Sequence, residues 1–183
     1  NQNLGAEYFE YEKYVPQNCR ILAGLKYALI REEFRKKKEE GKPVDCCSRT
    51  LNHLLISMGG ADRPNTTTKL IRWLPPEIAK GTVKKVILLG GENQWCAEVS
   101  TAASESLINY EIKFNSGNVS KILAEADLAV LAGGSMFWEA FLLETAVIAI
   151  QTAENQSDVL ANLAKDGVAP VLLQNSLNKT SFA

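Results

Sequence analysis

The sequence has few residues that bind metals, and this scarcity limits the chemistry it can support. Its 183 residues include four cysteines and one histidine, His53. No two cysteines form a Cys-x-x-Cys pair, and His53 does not stand at zinc-ligand spacing from any of them. The adjacent Cys46 and Cys47 are interpreted as free thiols of a reducing compartment. We therefore expect no metal site and a cytoplasmic location.

Strong net charge and long apolar runs are also missing. The formal net charge is -1, and 22% of the residues are charged, which gives no support for broad binding to nucleic acid or to a membrane surface. No apolar run approaches the roughly 20 residues that span a bilayer. The polar and acidic residues 1–14 are not a secretory signal. The sequence predicts neither a membrane span nor a nucleic-acid partner.

Two signatures of nucleotide-dependent enzymes are absent. Gly-Lys-Ser/Thr, the end of the Walker motif, occurs nowhere, and the dinucleotide pattern G-x-G-x-x-G is also missing. Both absences argue against an ATPase and against an NAD-dependent enzyme. We expect no cofactor, although the glycine turns described below suit a nucleotide as ligand.

Residues 51–183 alternate regularly between short apolar runs and helical patterns. The predicted strands comprise residues 53–57, 85–89, 110–114, 127–132, 146–150 and 169–173. Strands that alternate with helices at this spacing predict an α/β fold, a Rossmann-like, doubly wound parallel sheet with right-handed crossovers.

The first 50 residues are less regular. Residues 19–23 form a short apolar run that favours a further strand. The residues expected to anchor a helix are Tyr27, Leu29, Ile30 and Phe34, and its end, residues 35–40, is charged and solvated. Gly41 then interrupts the helix. We place a domain boundary near residue 50.

Residues 126–157 contain the most informative pattern of the chain. A buried strand is followed by Gly133 and Gly134, which let the backbone turn sharply and approach a ligand. Ser135 is a good N-cap, and Glu139 lies one turn inside the helix that follows. Open α/β sheets bind ligands at such carboxyl ends of their strands. The alternative is a structural βαβ unit with a glycine turn.

Gly59 and Gly60 make a corresponding turn after the strand at 53–57, and they lead into a helix. Their N–H groups, helped by the N-terminus of that helix, suit a phosphate or a diphosphate. Gly59 and Gly60 could approach one side of a diphosphate. Gly133, Gly134 and Ser135 could then approach its other side.

Further polar residues are candidates for ligand contacts. The Glu139 carboxylate could accept hydrogen bonds from both hydroxyls of a ribose; the alternative is an ordinary exposed helix position. Asn155 and Gln156 could donate to sugar or phosphate oxygens, or serve as plain loop residues. Asp62 and Glu154 are possible acids, but no spacing pairs them.

No residue presents itself as a catalytic base. His53 stands at the start of its strand, far from the carboxyl end, and is expected to be structural. One histidine so placed cannot build a Ser-His-Asp or Cys-His arrangement. The pattern indicates a binding site in which the catalytic residue is unknown.

Five segments, in the same order, resemble a known enzyme family. They are NQNLGAE at residues 1–7, AGLKYALIREEF at 23–34, ISMGGADRPN at 56–65, ADLAVLAGGSMFWE at 126–139 and AENQ at 153–156. Together they are similar to the UDP-sugar hydrolases of pseudaminic acid biosynthesis, which remove UDP from UDP-2,4-diacetamido-2,4,6-trideoxy-β-L-altropyranose. Spore coat polysaccharide biosynthesis proteins share the pattern. The wider superfamily resembles the peptidoglycan N-acetylglucosaminyltransferase, with the two Rossmann-like domains of the GT-B glycosyltransferase fold facing across a cleft.

The resemblance implies an organisation and a set of site residues. Residues 1–50 would be the end of an N-terminal domain and the interdomain crossover, and residues 51–183 the C-terminal, UDP-binding domain of a GT-B-type fold. The implied roles are diphosphate binding by Gly59, Gly60, Gly133, Gly134 and Ser135, ribose binding by Glu139, and a substrate-facing loop of Glu154, Asn155 and Gln156.

The resemblance also implies partners. UDP or a UDP-sugar would be the ligand, and an N-terminal domain absent from this chain would carry the histidine that activates water. Two departures mark a diverged member: Met136 stands where the family usually has threonine, and residues 143–146 replace a Gly-Leu-Pro-type turn. The alternatives to the hydrolase are a GT-B glycosyltransferase and a non-catalytic nucleotide-sugar-binding module, and the two departures slightly favour the module.

Overall fold

The computed structural model describes residues 6, 9–41, 51–75, 84–178 and 180. The strands in these residues are β1 (His53–Ser57), β2 (Lys84–Leu89), β3 (Tyr110–Phe114), β4 (Leu128–Ala132), β5 (Ala146–Gln151) and β6 (Val171–Leu173). The α-helices are α1 (Glu32–Glu39), α2 (Thr66–Trp73), α3 (Cys96–Glu105), α4 (Val119–Glu125), α5 (Ser135–Leu142) and α6 (Ser157–Lys165).

The strands form one parallel sheet in the order β3-β2-β1-β4-β5-β6. β1 pairs with β2 on one side and with β4 on the other, so that Leu55 stands opposite both Val86 and Ala129. The chain therefore reverses its winding direction between β1 and β4, which is the topological switch point of a doubly wound sheet. The predicted Rossmann-like fold is confirmed.

Apolar side chains cover both faces of the sheet, as parallel strands with helices on both sides require. One layer contains residues of α1, α4, α5 and α6, and it includes Leu55 and Leu160. The opposite layer contains residues of α2 and α3, and it includes Ile56 and Ile87. Successive residues of a strand point to opposite faces, which is why the neighbours Leu55 and Ile56 belong to different layers.

The segment that precedes the sheet differs from the prediction. Residues 19–23 form no strand; Leu22 is 46% exposed, so the run lacks the buried surroundings that a further strand needs. The helix begins only at Glu32, and the predicted anchor Leu29 is 79% exposed. Phe34 is confirmed as an anchor, because it is fully buried in the layer that contains Leu55, and Ile30 packs against the same layer. Tyr27 and Ile30 precede the helix. Helix α1 thus packs against the sheet domain.

Some predicted features lie outside the described residues. They include the boundary near residue 50, the adjacent Cys46 and Cys47, and most of the segment at 1–7. Cys19 and Cys96, which are described, are free thiols. Across the described ranges, every helix is too short or too polar to cross a membrane.

The turns after β1 and β2 touch backbone to backbone. A Cβ added to Gly90 would lie 2.4 Å from the Cα of Gly60 and 2.8 Å from its carbonyl oxygen. Gly59, beside this contact, has a φ of 80°, a left-handed conformation that favours glycine. Two glycines in contact and one in a left-handed conformation therefore fix the shape of the β1 turn.

We expect Gly90→Ala to lower the free energy of unfolding by about 1–3 kcal/mol, the usual cost of overpacking a close contact. The added methyl group fits only if the Gly60 backbone moves. Urea denaturation measures the change. Gly117→Ala is the matched control, because a Cβ at Gly117 meets no described atom within 4 Å. Equal losses in the two variants would contradict the importance of this contact.

Candidate functional site

The switch point opens into a cleft along the carboxyl ends of four adjacent strands. The cleft has a volume of ≈ 570 Å³ and is lined by residues at the ends of β1, β2, β3 and β4, together with Arg31. The cleft crosses four adjacent strands, and the three distances between neighbouring strands, each about 4.8 Å, make the cleft about 15 Å long. Its volume suits a small-molecule ligand. Four of the five predicted diphosphate-binding residues line it together: Gly59, Gly60, Gly134 and Ser135.

Gly133, the fifth predicted diphosphate-binding residue, is not among the residues that line the cleft. A Cβ on Gly133 would lie 2.8 Å from Cδ1 of Leu160 in α6. A side chain at this position would fit only if the buried side chain of Leu160 shifted, so the packing of α6 against the turn favours glycine here. A role of Gly133 in binding a diphosphate stays a prediction.

The turn after β1 uses its acidic residue to cap the helix that follows. Asp62 is buried, and its two carboxylate oxygens accept hydrogen bonds from the N–H groups of Thr66 and Thr67 at 2.8 and 2.9 Å. The indole Nε1 of Trp95 donates to the Asp62 carbonyl oxygen at 2.9 Å. The expectation that the N-terminus of α2 helps to bind a phosphate is wrong, because the Asp62 carboxylate already occupies it. Asp62 is a capping residue and not a free acid.

We expect Asp62→Ala to destabilise the protein by about 0.5–2 kcal/mol, the usual cost of losing an N-cap. Thermal or urea unfolding measures the change. Asp158→Ala is a suitable control, since Asp158 is exposed in the first turn of α6. If both variants unfolded like the original chain, the capping role of Asp62 would be refuted.

The N-terminus of α5 opens into the cleft. Gly134 is its N-cap, one residue before the predicted Ser135, and no described side chain caps the helix. Gly134, Ser135 and Met136 line the cleft, and a Cβ on Gly134 would meet no described atom within 4 Å. The first N–H groups of a helix lack intrahelical partners and carry the positive end of its dipole. An anion in the cleft would therefore meet N–H donors that no side chain of the described residues occupies.

Glu139 lies behind this surface and is held by an arginine. The residue is 1% exposed, so the alternative of an ordinary exposed helix position is wrong. Its Oε1 accepts a hydrogen bond from Nε of Arg31 at 2.7 Å, and its Oε2 accepts one from Nη2 at 2.8 Å. Both carboxylate oxygens are therefore engaged. Binding of a ribose by Glu139 stays a prediction.

Arg31, which no sequence pattern singled out, supplies a positive charge to the cleft. Among the described residues that line the cleft it is the one with a formal charge, and its side chain is 51% exposed. Its Nη1 lies 3.1 Å from Oε1 of Glu33, and its guanidinium carbon lies 4.6 Å from the centre of the Phe34 ring. The hydrogen bond to Glu139 raises the pKa of Arg31, so the guanidinium stays protonated. The two partners are 108 residues apart in the chain, beyond the reach of any local pattern.

The predicted substrate-facing loop forms a short 3₁₀ turn, Glu154–Gln156, after β5. Oε1 of Gln156 accepts hydrogen bonds from the N–H groups of Thr152 and Ala153 at 2.9 and 3.3 Å, so this side chain stabilises the turn itself. Glu154 and Asn155 are exposed. None of the three lines the cleft, and their contact with a substrate stays a prediction.

Two further polar residues that line the cleft were not predicted from the sequence. Asn115 and Ser116 follow β3 directly and line the end of the cleft farthest from β4. Asn115 donates its N–H to the carbonyl oxygen of Leu89 at 2.9 Å, which fixes the turn beside β2. Their position after a predicted strand was the available signal, since polar residues at strand ends meet at one edge of a parallel sheet.

A smaller groove, of ≈ 280 Å³, includes His53, Lys84 and Lys121. His53 stands at the amino end of β1, and its Nδ1 lies 2.8 Å from the carbonyl oxygen of Glu125, in agreement with the expected structural role. Lys84 pairs with Glu111 at 3.3 Å and Lys121 with Glu125 at 3.9 Å. In the part of the chain that the structure describes, no group of three or more His, Cys, Asp or Glu side chains is arranged to hold a metal ion.

Comparison with known proteins confirms the resemblance seen in the sequence. No family model matches the chain. Over 167 residues, 91% of this chain and 57% of the relative, it is 26% identical to the UDP-2,4-diacetamido-2,4,6-trideoxy-beta-L-altropyranose hydrolase of Campylobacter jejuni. Over 156 residues, 85% of this chain and 44% of the relative, it is 21% identical to the spore coat polysaccharide biosynthesis protein SpsG of Bacillus subtilis. The chain spans about half the length of these relatives.

A solved structure shows the same fold. The calicheamicin glycosyltransferase CalG4 superposes with a TM-score of 0.55 and 19% sequence identity, over 73% of this chain and 32% of that chain. The described sheet therefore has the Rossmann-like architecture found within a glycosyltransferase of the GT-B type.

Proposed function

We propose that this chain is the nucleotide-binding half of an enzyme that releases UDP from a UDP-linked deoxy-diacetamido sugar. The observation that carries the proposal is the uncapped N-terminus of α5, which shares one cleft with the glycine turn after β1. The relatives, a UDP-sugar hydrolase and a polysaccharide biosynthesis protein, support the class of substrate. Their greater length agrees with a second domain that completes the enzyme.

The diphosphate is assigned to α5 because the two helices at the switch point differ at their N-termini. The carboxylate of Asp62 occupies the first N–H groups of α2 and would repel a phosphate. At α5 the N–H groups and the helix dipole favour an anion, and the Ser135 hydroxyl adds a further donor. Gly59 and Gly60, where a Cβ would meet no described atom within 4 Å, leave the opposite side of the cleft open to the ligand.

The proposed orientation of the ligand in the cleft, with the sugar at one end and the nucleoside at the other, follows from the order of the strands. The loop proposed to face the sugar follows β5, on the far side of β4 from β1. The nucleoside would then extend in the other direction, past β1 and β2 toward Asn115 and Ser116. The cleft of about 15 Å offers room for a nucleoside diphosphate along this path.

In the proposed reaction, water displaces UDP from the anomeric carbon of the sugar. The bond between that carbon and a diphosphate oxygen breaks, and negative charge develops on the leaving group. N–H donors already aimed at that position stabilise the charge without reorganisation. The base that activates the water is assigned to the second domain, since no described residue of the cleft is placed to serve as one.

A glycosyltransferase is the second candidate, and the fold shared with CalG4 favours it. An alcohol would replace water as the acceptor, while the cleft would hold the same UDP leaving group. A non-catalytic nucleotide-sugar-binding module is favoured by the altered turn at residues 143–146 and by Met136, whose side chain places no hydroxyl beside the N-terminus of α5.

Calorimetric titration with UDP and UMP tests the proposal. We expect the chain to bind UDP weakly and UMP more weakly, because UMP lacks one phosphate, and to hydrolyse no UDP-sugar by itself. The absence of UDP binding at millimolar concentration would refute the assigned site.

Gly134→Val should weaken UDP binding by about tenfold or more, equivalent to about 1.4 kcal/mol, because the side chain would cover the N–H groups of α5. The extended backbone of Gly134, with φ −101° and ψ −161°, accepts other residues, so the fold should persist. Ala161→Val, at an exposed position of α6 that does not line the cleft, is the control. If Gly134→Val bound UDP like the original chain, the ligand would lie elsewhere.

A further inference from the structure

We infer that Trp95 is a positioning residue of the proposed nucleotide site, because its indole N–H holds the glycine turn after β1 in the shape that receives the ligand. This inference rests on the proposed function, since that turn forms the wall of the cleft opposite the N-terminus of α5. Trp95 itself is not among the residues that line the cleft. It therefore acts through the turn and does not touch the nucleotide.

The backbone between β1 and α2 adopts a conformation that needs outside support. Three of its residues have a positive φ: Gly59 at 80°, Asp62 at 39° and Asn65 at 54°. Only glycine adopts this left-handed region without a steric cost, although aspartate and asparagine tolerate it better than most residues. Side chains persist there when the surrounding structure holds them in place. The turn thus depends on contacts from other parts of the molecule.

Trp95, the N-cap residue of α3, supplies such a contact at the middle of the turn. Its indole Nε1 donates to the carbonyl oxygen of Asp62 at 2.9 Å, and the backbone N–H of Asn65 donates to the same oxygen at 2.9 Å. One of these hydrogen bonds lies inside the turn, and the other comes from outside it. Since Asp62 and Trp95 are 33 positions apart in the chain, the indole bond ties the β1 turn to the start of α3.

Trp95 is itself held by the turn after β2. Its backbone N–H donates to Oδ1 of Asn93 at 2.8 Å, and the N–H of Asn93 donates to the carbonyl oxygen of Gly90 at 3.1 Å. Gly90 in turn lies against Gly60, with which it makes the close backbone contact described above. The Trp95 side chain also packs against the apolar layer that contains Ile56. The two turns are therefore joined at two points, the glycine contact and the indole bond.

Two points of attachment restrict the β1 turn more than one point does. With the glycine contact alone, the turn can rotate about Gly60, and the indole bond removes this freedom. A ligand binds only those molecules whose site has the competent shape, so its apparent affinity falls in proportion to their fraction. Removing the indole N–H should therefore weaken the binding of UDP, although no group that touches UDP is lost.

Trp95→Phe tests the inference, because phenylalanine keeps an aromatic ring and lacks the N–H. Trp73→Phe is the matched control, since Trp73, the last residue of α2, is also partly buried and does not line the cleft. NMR titration measures UDP affinity, and urea denaturation measures the free energy of unfolding. We expect Trp95→Phe to bind UDP about two- to tenfold more weakly, the factor that corresponds to one hydrogen bond. Trp73→Phe should bind UDP like the original chain.

Measuring stability and affinity separately distinguishes positioning from a purely structural role. A purely structural role of Trp95 would lower the free energy of unfolding and leave the affinity of the folded chain unchanged. Unchanged UDP affinity in Trp95→Phe would therefore overturn the inference, even if the variant were less stable. An equal loss of affinity in Trp73→Phe would also contradict it, because the loss would then follow from replacing a tryptophan and not from the indole bond.

A second measurement needs no variant and decides the question if Trp95→Phe fails to fold. The hydrogen exchange of the Trp95 indole N–H, followed by NMR, reports how often its bond to Asp62 opens. The inference predicts that saturating UDP slows this exchange, since the ligand selects molecules in which the turn is held. Exchange at the same rate with and without UDP would show that the bond and the ligand are independent.

The outcomes separate this inference from the proposed function. If the original chain bound no UDP at millimolar concentration, both would fail. If UDP shifted the amide signals of Gly59, Gly60 and Ser135, but Trp95→Phe bound it as tightly as the original chain, the site would stand and only the positioning role of Trp95 would fail.

Discussion

The parallel pairing of β1 with both β2 and β4 is the constraint on which the site depends. Because the chain first adds strands on one side of β1 and then on the other, the connections after β1 and β4 run to opposite faces of the sheet. Their divergence leaves the cleft at the carboxyl edge. Apolar residues bury the strands on both faces, so the turns that line the cleft follow strands that belong to the core.

The two helices that start at the switch point meet the same requirement in different ways. Every helix N-terminus needs partners for its first N–H groups. Helix α2 finds them within the chain, in the carboxylate of Asp62. Helix α5 begins at Gly134 with no cap from a described side chain, and Arg31, held by Glu139, stands in the same cleft. This asymmetry is the basis on which we propose a structural role for the N-terminus of α2 and ligand binding at the N-terminus of α5.

The sequence predicted features that depend on neighbouring residues. It did not predict contacts between residues that are far apart in the chain. The bounds of β1 and β3 were predicted correctly: β1 is a short, mainly apolar run, and β3 alternates apolar and charged residues with the period of a strand. The burial of Glu139 could not be read locally, since it depends on Arg31, 108 residues earlier. The contact of Gly133 with Leu160 of α6 was equally hidden. The cap by Asp62 was not expected from the sequence, because the usual capping residue stands directly before the helix, where α2 has Asn65.

Amide NMR spectra recorded during a UDP titration test the central claim most directly, because they locate the ligand without assuming a role for any side chain. The account predicts that the largest shifts occur at Gly59, Gly60 and Ser135, together with the Nε–H of Arg31. Saturable shifts centred on the smaller groove around His53, with the switch-point turns unchanged, would contradict it.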